Sequence, residues 1–160
     1  MNIAYLLIGG NIGDREDALQ KAGALIAEHC GEVKNKSAIY ETAAWGITNQ
    51  PAFLNQVLAI ETKLTARQLI RRILNLEKMM GRVREEKLGP RIIDIDILLF
   101  NQEIYNLRFL IIPHPELQNR RFALQPLAEI APDMMHPVLK KSITDLLQSC
   151  TDELPVKKIN

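Results

Sequence analysis

Gly89-Pro90-Arg91-Ile92-Ile93-Asp94-Ile95-Asp96-Ile97-Leu98-Leu99-Phe100 reads as a buried β-strand with two carboxylates set into it. Side chains alternate faces along a strand, so Asp94 and Asp96 point the same way, roughly 7 Å apart, while Ile93, Ile95 and Ile97 point the other way. At an effective dielectric of about 20, two such charges repel by about 2.4 kcal/mol. An otherwise apolar strand does not carry that repulsion without compensation, and a divalent cation supplies it. Oxygen ligands with no Cys or His cluster beside them favour magnesium over zinc. The plain alternative is a solvated strand face with arginine partners. Arg82 and Arg84 upstream, and Arg91 just before the strand, tip the balance toward a metal–phosphate site, in which guanidinium groups hold the phosphate oxygens that the metal does not reach.

Outward from that strand, the apolar spacing sets out the other elements. Residues 3–8 form a short apolar run that ends at Gly9-Gly10-Asn11, a strand followed by a tight turn or a close backbone approach. Asp14 opens a helix with Glu16 and Asp17 in its first turn, and Leu19, Ala22, Ile26 and Cys30 recur at helical spacing. Residues 33–42 and 53–62 read as strands. Thr65 and Gln68 make a capping box ahead of a helix striped by Leu69, Ile73, Leu76 and Met80 and ended by Gly81. The order strand, helix, strand, strand, helix, strand predicts an α+β fold: a ferredoxin-like two-layer sandwich with a βαββαβ core, a mainly antiparallel four-stranded sheet and helices on one face. A C-terminal extension follows, with a hairpin-like piece at residues 104–112, a Pro-punctuated segment to about Pro137, a helix near residues 142–149, and a solvated tail at Lys157-Lys158. No linker or repeat divides the chain, so residues 1–160 are expected to form a single domain.

The bulk composition narrows the function. At 47% apolar and 24% charged residues the chain is an ordinary globular one. A net charge of +1 gives no reason to expect nucleic-acid or membrane partners, whereas a small anionic ligand needs only a local basic cluster. Cys30 and Cys150 are expected as buried thiols of a reducing compartment and not as a disulfide framework. Met1-Asn2 leads directly into an apolar strand with no basic leader, so the expected location is cytoplasmic and, with no obvious exposed apolar stripe, the expected state a monomer.

Three further clusters carry chemistry. Phe53 and Asn55 are two apart on one strand and share a face, so an aromatic plate and an amide can stack on and hydrogen-bond a flat heterocycle; the alternative is a core phenylalanine and a strand-end amide. Glu85-Glu86-Lys87-Leu88, between Arg84 and Gly89-Pro90, reads either as a lid or as a plain surface loop. His114, held between Pro113 and Pro115, and the tandem Arg120-Arg121 suit an anion, though a lone histidine is more often structural.

Gly9-Gly10-Asn11-Ile12-Gly13-Asp14-Arg15-Glu16, Gln50-Pro51-x-Phe53-Leu54-Asn55, Gly81-Arg82-Val83-Arg84, Gly89-Pro90-Arg91-x-x-Asp94-x-Asp96, and Pro113-His114-Pro115 through Arg120-Arg121-Phe122 occur in that order. With these five motifs the chain resembles the 6-hydroxymethyl-7,8-dihydropterin pyrophosphokinase (HPPK) family over nearly its whole length. The resemblance implies a transfer of pyrophosphate from ATP to the hydroxyl of a reduced pterin, with AMP released and two magnesium ions held by Asp94 and Asp96. It implies that Arg82 and Arg91 stabilise the transferring group. It places Asn55, Phe53, Phe122 and the backbone at Thr42 and Ala44 against the pterin, and Arg84, His114, Arg120 and Glu77 on the ATP side. The implied partners are small molecules, ATP and a reduced pterin. A magnesium-dependent nucleotidyltransferase, or a non-catalytic ferredoxin-like ligand-binding module, are the competing readings.

Overall fold

Each helix starts where a side chain can replace a missing backbone acceptor. The structure, a computed structural model, describes residues 1–44, 49–81 and 92–160. Its elements run β1 (Asn2–Gly10), α1 (Arg15–His29), β2 (Glu32–Lys36), β3 (Tyr40–Thr42), β4 (Phe53–Thr62), α2 (Ala66–Met79) and β5 (Asp94–Phe100). There follow β6 (Tyr105–Leu107), β7 (Leu110–Ile112), a 3-10 turn at Leu117–Asn119, α3 (Arg121–Ile130), α4 (Ile143–Ser149) and β8 (Val156–Lys158). The Asp14 carboxylate accepts from Asp17 N–H at 3.1 Å to start α1. Thr65 and Gln68 close the expected capping box on α2, at 2.9 and 3.2 Å. Gly81 follows α2 with φ +86°, a left-handed conformation that suits glycine, and its N–H reaches the Lys78 carbonyl. The Ser142 hydroxyl caps α4.

The strands form one antiparallel sheet in the order β5-β1-β4-β3-β8, with β2 beside β3 along β4; β6 and β7 make a separate hairpin. The sheet is covered on both faces. Ala4, Leu6 and Ile8 of β1, Leu54, Leu58 and Ile60 of β4, and Ile95 and Ile97 of β5 pack with Leu19, Ala22 and Ile26 of α1 and Leu69, Ile73 and Leu76 of α2. On the other face Leu7, Val57, Leu98 and Leu99 pack with Leu124 and Leu127 of α3 and Ile143 and Leu146 of α4. The helices α1 and α2 thus share one face, and α3 and α4, from the segment that follows β5, cover the other. The helix α3 was hidden because Pro126 interrupts its sequence pattern and has no N–H to give the Phe122 carbonyl.

Of the three register shifts in the described sheet, one lies within β2 between Val33 and Asn35, and the other two set which of the following side chains face α3. The expected single strand over residues 33–42 is two strands. Lys36 pairs with Leu58 and Tyr40 with Asn55, so four steps on one side match three on the other. Ser37 fills the break: its hydroxyl accepts from Val57 N–H at 2.9 Å while its own N–H donates to the Val57 carbonyl. The extra residue moves Tyr40 and Thr42 onto the α3 face, beside Asn55 and Phe53. On β5, Ile97 pairs with Leu6 and Leu99 with Tyr5, leaving Leu98 extra. Its carbonyl accepts from His114 N–H at 3.0 Å, which docks the Pro113–Pro115 turn on the strand.

Two other sequence expectations shift. Gly9 and Gly10 continue β1 and do not form a turn. Lys157 and Lys158 have exposed side chains, but their backbone is strand β8, paired with Glu41 and Tyr40. Cys30 and Cys150 are free thiols, as expected; Cys30 is buried but Cys150 only half-buried, and burial pushes the Cys30 pKa up to about 11. No helix among the described residues is long and apolar enough to cross a membrane. Ser37→Ala removes the acceptor for a buried N–H and is expected to lower unfolding stability by about 1–3 kcal/mol, read from a urea titration.

Candidate active site

The centre of the α3 face is not filled by apolar side chains. Gly9 lies directly opposite Asn55 on β4 and directly opposite Asp94 on β5, and one step along, Leu7 lies opposite Asp96. Residues opposite one another in an antiparallel pair share a face, so Asn55, Gly9 and Asp94 form one row across three strands. Thr42, opposite Phe53, extends that surface toward the sheet edge. Arg120 and Phe122 come down from the start of α3. The cleft so formed is lined by Leu7, Gly9, Thr42, Ala43, Phe53, Asn55, Asp94, Asp96, Arg120 and Phe122.

Gly9 is required by the row it occupies. A Cβ there would collide with Asn55 Oδ1 and come within 2.9 Å of the Leu54 carbonyl oxygen. The Asn55 amide therefore lies over the glycine, held in the cleft floor with only 5% of the residue exposed. The loop that leads into β4 is fixed by Asn11, whose amide donates to Gln50 Oε1 at 2.9 Å and to the Pro51 carbonyl at 3.0 Å. Arg15 adds a bond to the Ala52 carbonyl and a 2.7 Å ion pair with Glu41.

At the acidic end, Asp94 and Asp96 are partly exposed to the cleft while Ile93, Ile95 and Ile97 are buried behind them, as the alternation predicted. Glu77 of α2 is 2% exposed and does not line the cleft. Its carboxylate accepts from Ile95 N–H at 2.9 Å, so it covers the outer edge of β5 between the two aspartates. His114 stands at the same end. Its Nδ1 accepts from Glu116 N–H at 3.1 Å, which leaves Nε2 to carry the proton of the neutral ring. Burial and the Arg120 charge hold its pKa down to about 4, against smaller opposing effects of Asp94 and Glu116. The Arg120 guanidinium carbon lies 5.7 Å from the Phe122 ring centroid, a cation–π distance.

Of the residues expected from sequence, the cleft gathers Thr42, Phe53, Asn55, Asp94, Asp96, Arg120 and Phe122, with His114 beside Asp94 and Arg120. Ala44 is buried and its neighbour Ala43 is on the lining. Arg82, Arg84, Arg91 and the loop between them lie outside the described residues, as do Trp45 and Gly46. Sequence reasoning missed Leu7, which looks like core, and missed Tyr40. The Tyr40 hydroxyl donates to Glu129 Oε1 at 2.6 Å, and Glu129 also accepts from Ala38 N–H, tying α3 to β3. Burial and that carboxylate push the Tyr40 pKa up to about 12.

An acidic pair at one end and an amide with two phenylalanines lining the other suit a bipartite small ligand, a flat polar ring next to a cation-bound polyphosphate. That defines the class: an antiparallel α/β protein with a cleft built for group transfer at phosphate. The family model described as 7,8-dihydro-6-hydroxymethylpterin-pyrophosphokinase (HPPK) matches residues 5–132, and the chain belongs to that family. It is 41% identical over 145 residues to the 2-amino-4-hydroxy-6-hydroxymethyldihydropteridine pyrophosphokinase of Aquifex aeolicus, covering 91% of this chain and 90% of that one. The Bacillus subtilis protein of the same name is 46% identical over 130 residues, covering 81% and 78%. A crystal structure of Plasmodium falciparum HPPK-DHPS with pteroate superposes with a TM-score of 0.74 at 18% identity, covering 92% of this chain and 44% of that one; the likeness is one of fold.

Two measurements check the geometry. Gly9→Ala forces the Asn55 amide out of its place and is expected to cost about 1–3 kcal/mol of stability, read by calorimetry. Unfolded His114 takes a proton near its ordinary pKa of 6.5, whereas the folded residue refuses it until about 4. The stability linked to this residue is thus fully present above pH 6.5 and is lost as pH falls toward 4. His136, also lowered by burial, adds to the same trend. His114→Asn keeps an acceptor for Glu116 N–H and is expected to flatten the decline in urea midpoint between pH 6.5 and 4.

Proposed function

We propose that the cleft transfers the pyrophosphoryl group of ATP to the hydroxyl of 6-hydroxymethyl-7,8-dihydropterin, the folate-biosynthesis step for which the family and its relatives are named. The observation that carries this reading is the single cleft shared by Asp94 and Asp96 with Phe53, Asn55 and Phe122. The pterin oxygen forms a bond to the β-phosphorus of ATP, the bond from that phosphorus to the α-phosphate oxygen breaks, AMP leaves with the electron pair, and the hydroxyl proton passes to solvent.

Catalysis of this kind rests on positioning and charge neutralisation more than on covalent chemistry. Phe53 and Phe122 hold the ring and exclude water. Asn55 offers both a donor and an acceptor to the ring edge, and the backbone from Thr42 to Ala44 meets the same edge. Arg120 and the Nε2–H of His114 serve the phosphate side. Glu77, set on the edge of β5, acts on that side through the strand it holds. Arg82 and Arg91 are assigned to the transferring group and Arg84 to the nucleotide.

Among the described residues no cluster of three acidic, His or Cys side chains exists that could cage a metal by itself. Two carboxylates with open space in front of them fit magnesium, which takes one or two protein carboxylates and completes its shell with water and substrate phosphate. Asp94 and Asp96 would hold it, as two ions. A magnesium ion held there would supply charge neutralisation at phosphate and acidify the attacking hydroxyl, and accordingly no side chain is assigned as a dedicated base.

This reading extends to a single domain over residues 1–160, a ferredoxin-like β1-α1-(β2,β3)-β4-α2-β5 core, a monomer, and a cytoplasmic location. The sheet order, with β5 and β4 flanking β1, supports the ferredoxin-like core.

With magnesium and ATP, AMP is expected only when the hydroxymethyl-dihydropterin is supplied. ADP as product, or pyrophosphate release as in a nucleotidyltransferase, would overturn the assignment. Asp96→Asn is expected to lower turnover by about 100- to 1,000-fold while the melting temperature stays level or rises, because a like-charge repulsion is removed.

A further inference from the structure

The segment after α4 contributes nothing to the lining of the cleft, yet it touches both of its walls. It lies beyond the residues matched by the family model. On one wall, α3 begins at Arg121, between the lining residues Arg120 and Phe122. No side chain of its N-cap residue, Arg120, caps that helix. In place of a local cap, Arg121 N–H donates to Asp152 Oδ2 at 3.1 Å. The Arg121 guanidinium then reaches the carbonyl oxygens of Asp152 and Cys150, both at 3.0 Å. Asp152 Oδ1 takes Leu154 N–H at 3.0 Å, which turns the chain toward the other wall. There, Thr42 Oγ1 donates to the Pro155 carbonyl at 3.0 Å, and β8 pairs with β3 at Tyr40, Glu41 and Thr42.

Arg121 thus turns its Nε and Nη2 onto backbone carbonyls of this segment. Its neighbours on both sides are the ones aimed into the cleft. Thr42 reaches out of the cleft for a partner in the same segment that caps α3. Phe122 and Thr42 stand on separate elements, one a helix and one a short strand near the sheet edge, and each is anchored by these few residues.

We propose that residues 150–158 form a strap that sets the width of the pterin end of the cleft, with Arg121 and Asp152 as its positioning residues. The proposal rests on the assignment of that end to the pterin. Neither residue touches substrate. They act by holding the start of α3 at a fixed distance from β3, so that Phe122 and Thr42 grip the ring. The carboxylates on β5 are held at the β5 edge of the sheet, by Glu77 and by the turn at His114, and have no contact with the strap among the described bonds.

The test uses the full chain and two variants, Asp152→Ala and Arg121→Ala, which break the junction of the strap with α3 from its two sides. Pterin affinity and steady-state kinetics are measured below the melting transition of each protein. Loss of one ordinary net hydrogen bond at the wall predicts a rise in pterin Kd and KM of about fivefold, with kcat changed less than about twofold. Asp152→Asn, which retains one carbonyl acceptor without the charge, recovers part of the affinity. If Asp152→Ala does not fold, Arg121→Ala carries the same prediction. Wild-type pterin affinity in folded Arg121→Ala and Asp152→Ala, or a kcat loss equal to the KM effect, overturns the strap and leaves the pterin assignment standing. A wild-type chain that takes no pterin overturns the assignment and the strap with it.

Discussion

Everything in the cleft depends on the pairing of β1 with a neighbour on each side. Because Gly9 faces Asn55 and Asp94 at once, a group that suits a flat ring and a group that suits a metal are fixed on the two strands that flank β1 in one rigid sheet. Neither sits on a loop. The distance between the two ends of the site is therefore set by interstrand spacing, about 4.8 Å per strand, and not by a hinge. The central strand must be bare where the Asn55 amide lies, which the glycine provides. The remaining charged and aromatic groups are added to this row from α3 and from the His114 turn.

The two bulges show how an ordinary antiparallel sheet acquires such a surface. One extra residue at Ser37 turns Thr42 and Tyr40 toward α3, and one at Leu98 lets β5 carry Asp94 and Asp96 and, a step later, two consecutive leucines of the same apolar cluster. Without the second bulge, alternation would send Leu99 to the α1–α2 side. The polar cleft and the apolar contact with α3 thus occupy one face of the strand, end to end.

Where local chemistry governs structure, the sequence was readable. The Asp14 cap, the Thr65–Gln68 box, the limits of β4 and the alternation around Asp94 are all set by near neighbours in the chain, and they stand where spacing put them. The polar candidates at Thr42, Phe53, Asn55, Asp94, Asp96, Arg120 and Phe122 fell into one cleft for the same reason, since each sits in a short motif. What was illegible depends on partners far away. Ser37 forms a bulge only because Val57 is there, and the Arg121 side chain is turned onto the backbone carbonyls of Cys150 and Asp152. The helix α3 carries a proline in its middle, and its burial against β4 and α4 outweighs that local penalty. Glu129 is exposed and unremarkable by composition, and its meeting with Tyr40 spans 89 positions.

The margins of the sheet bear on the chain's behaviour in a crowded solution. An open ladder of N–H and C=O groups invites another polypeptide to pair with it and so seeds aggregation. At the β5 margin a buried carboxylate and the histidine turn occupy the Ile95 amide and the Leu98 carbonyl. The β8 margin presents Lys157 and Lys158, and the β2 margin Glu32, Lys34 and Lys36. Like-charged copies approaching along the β8 border repel, and the charged side chains of the β2 border favour water over a second strand, so the margins resist strand-to-strand polymerisation without spending any of the apolar core on the defence.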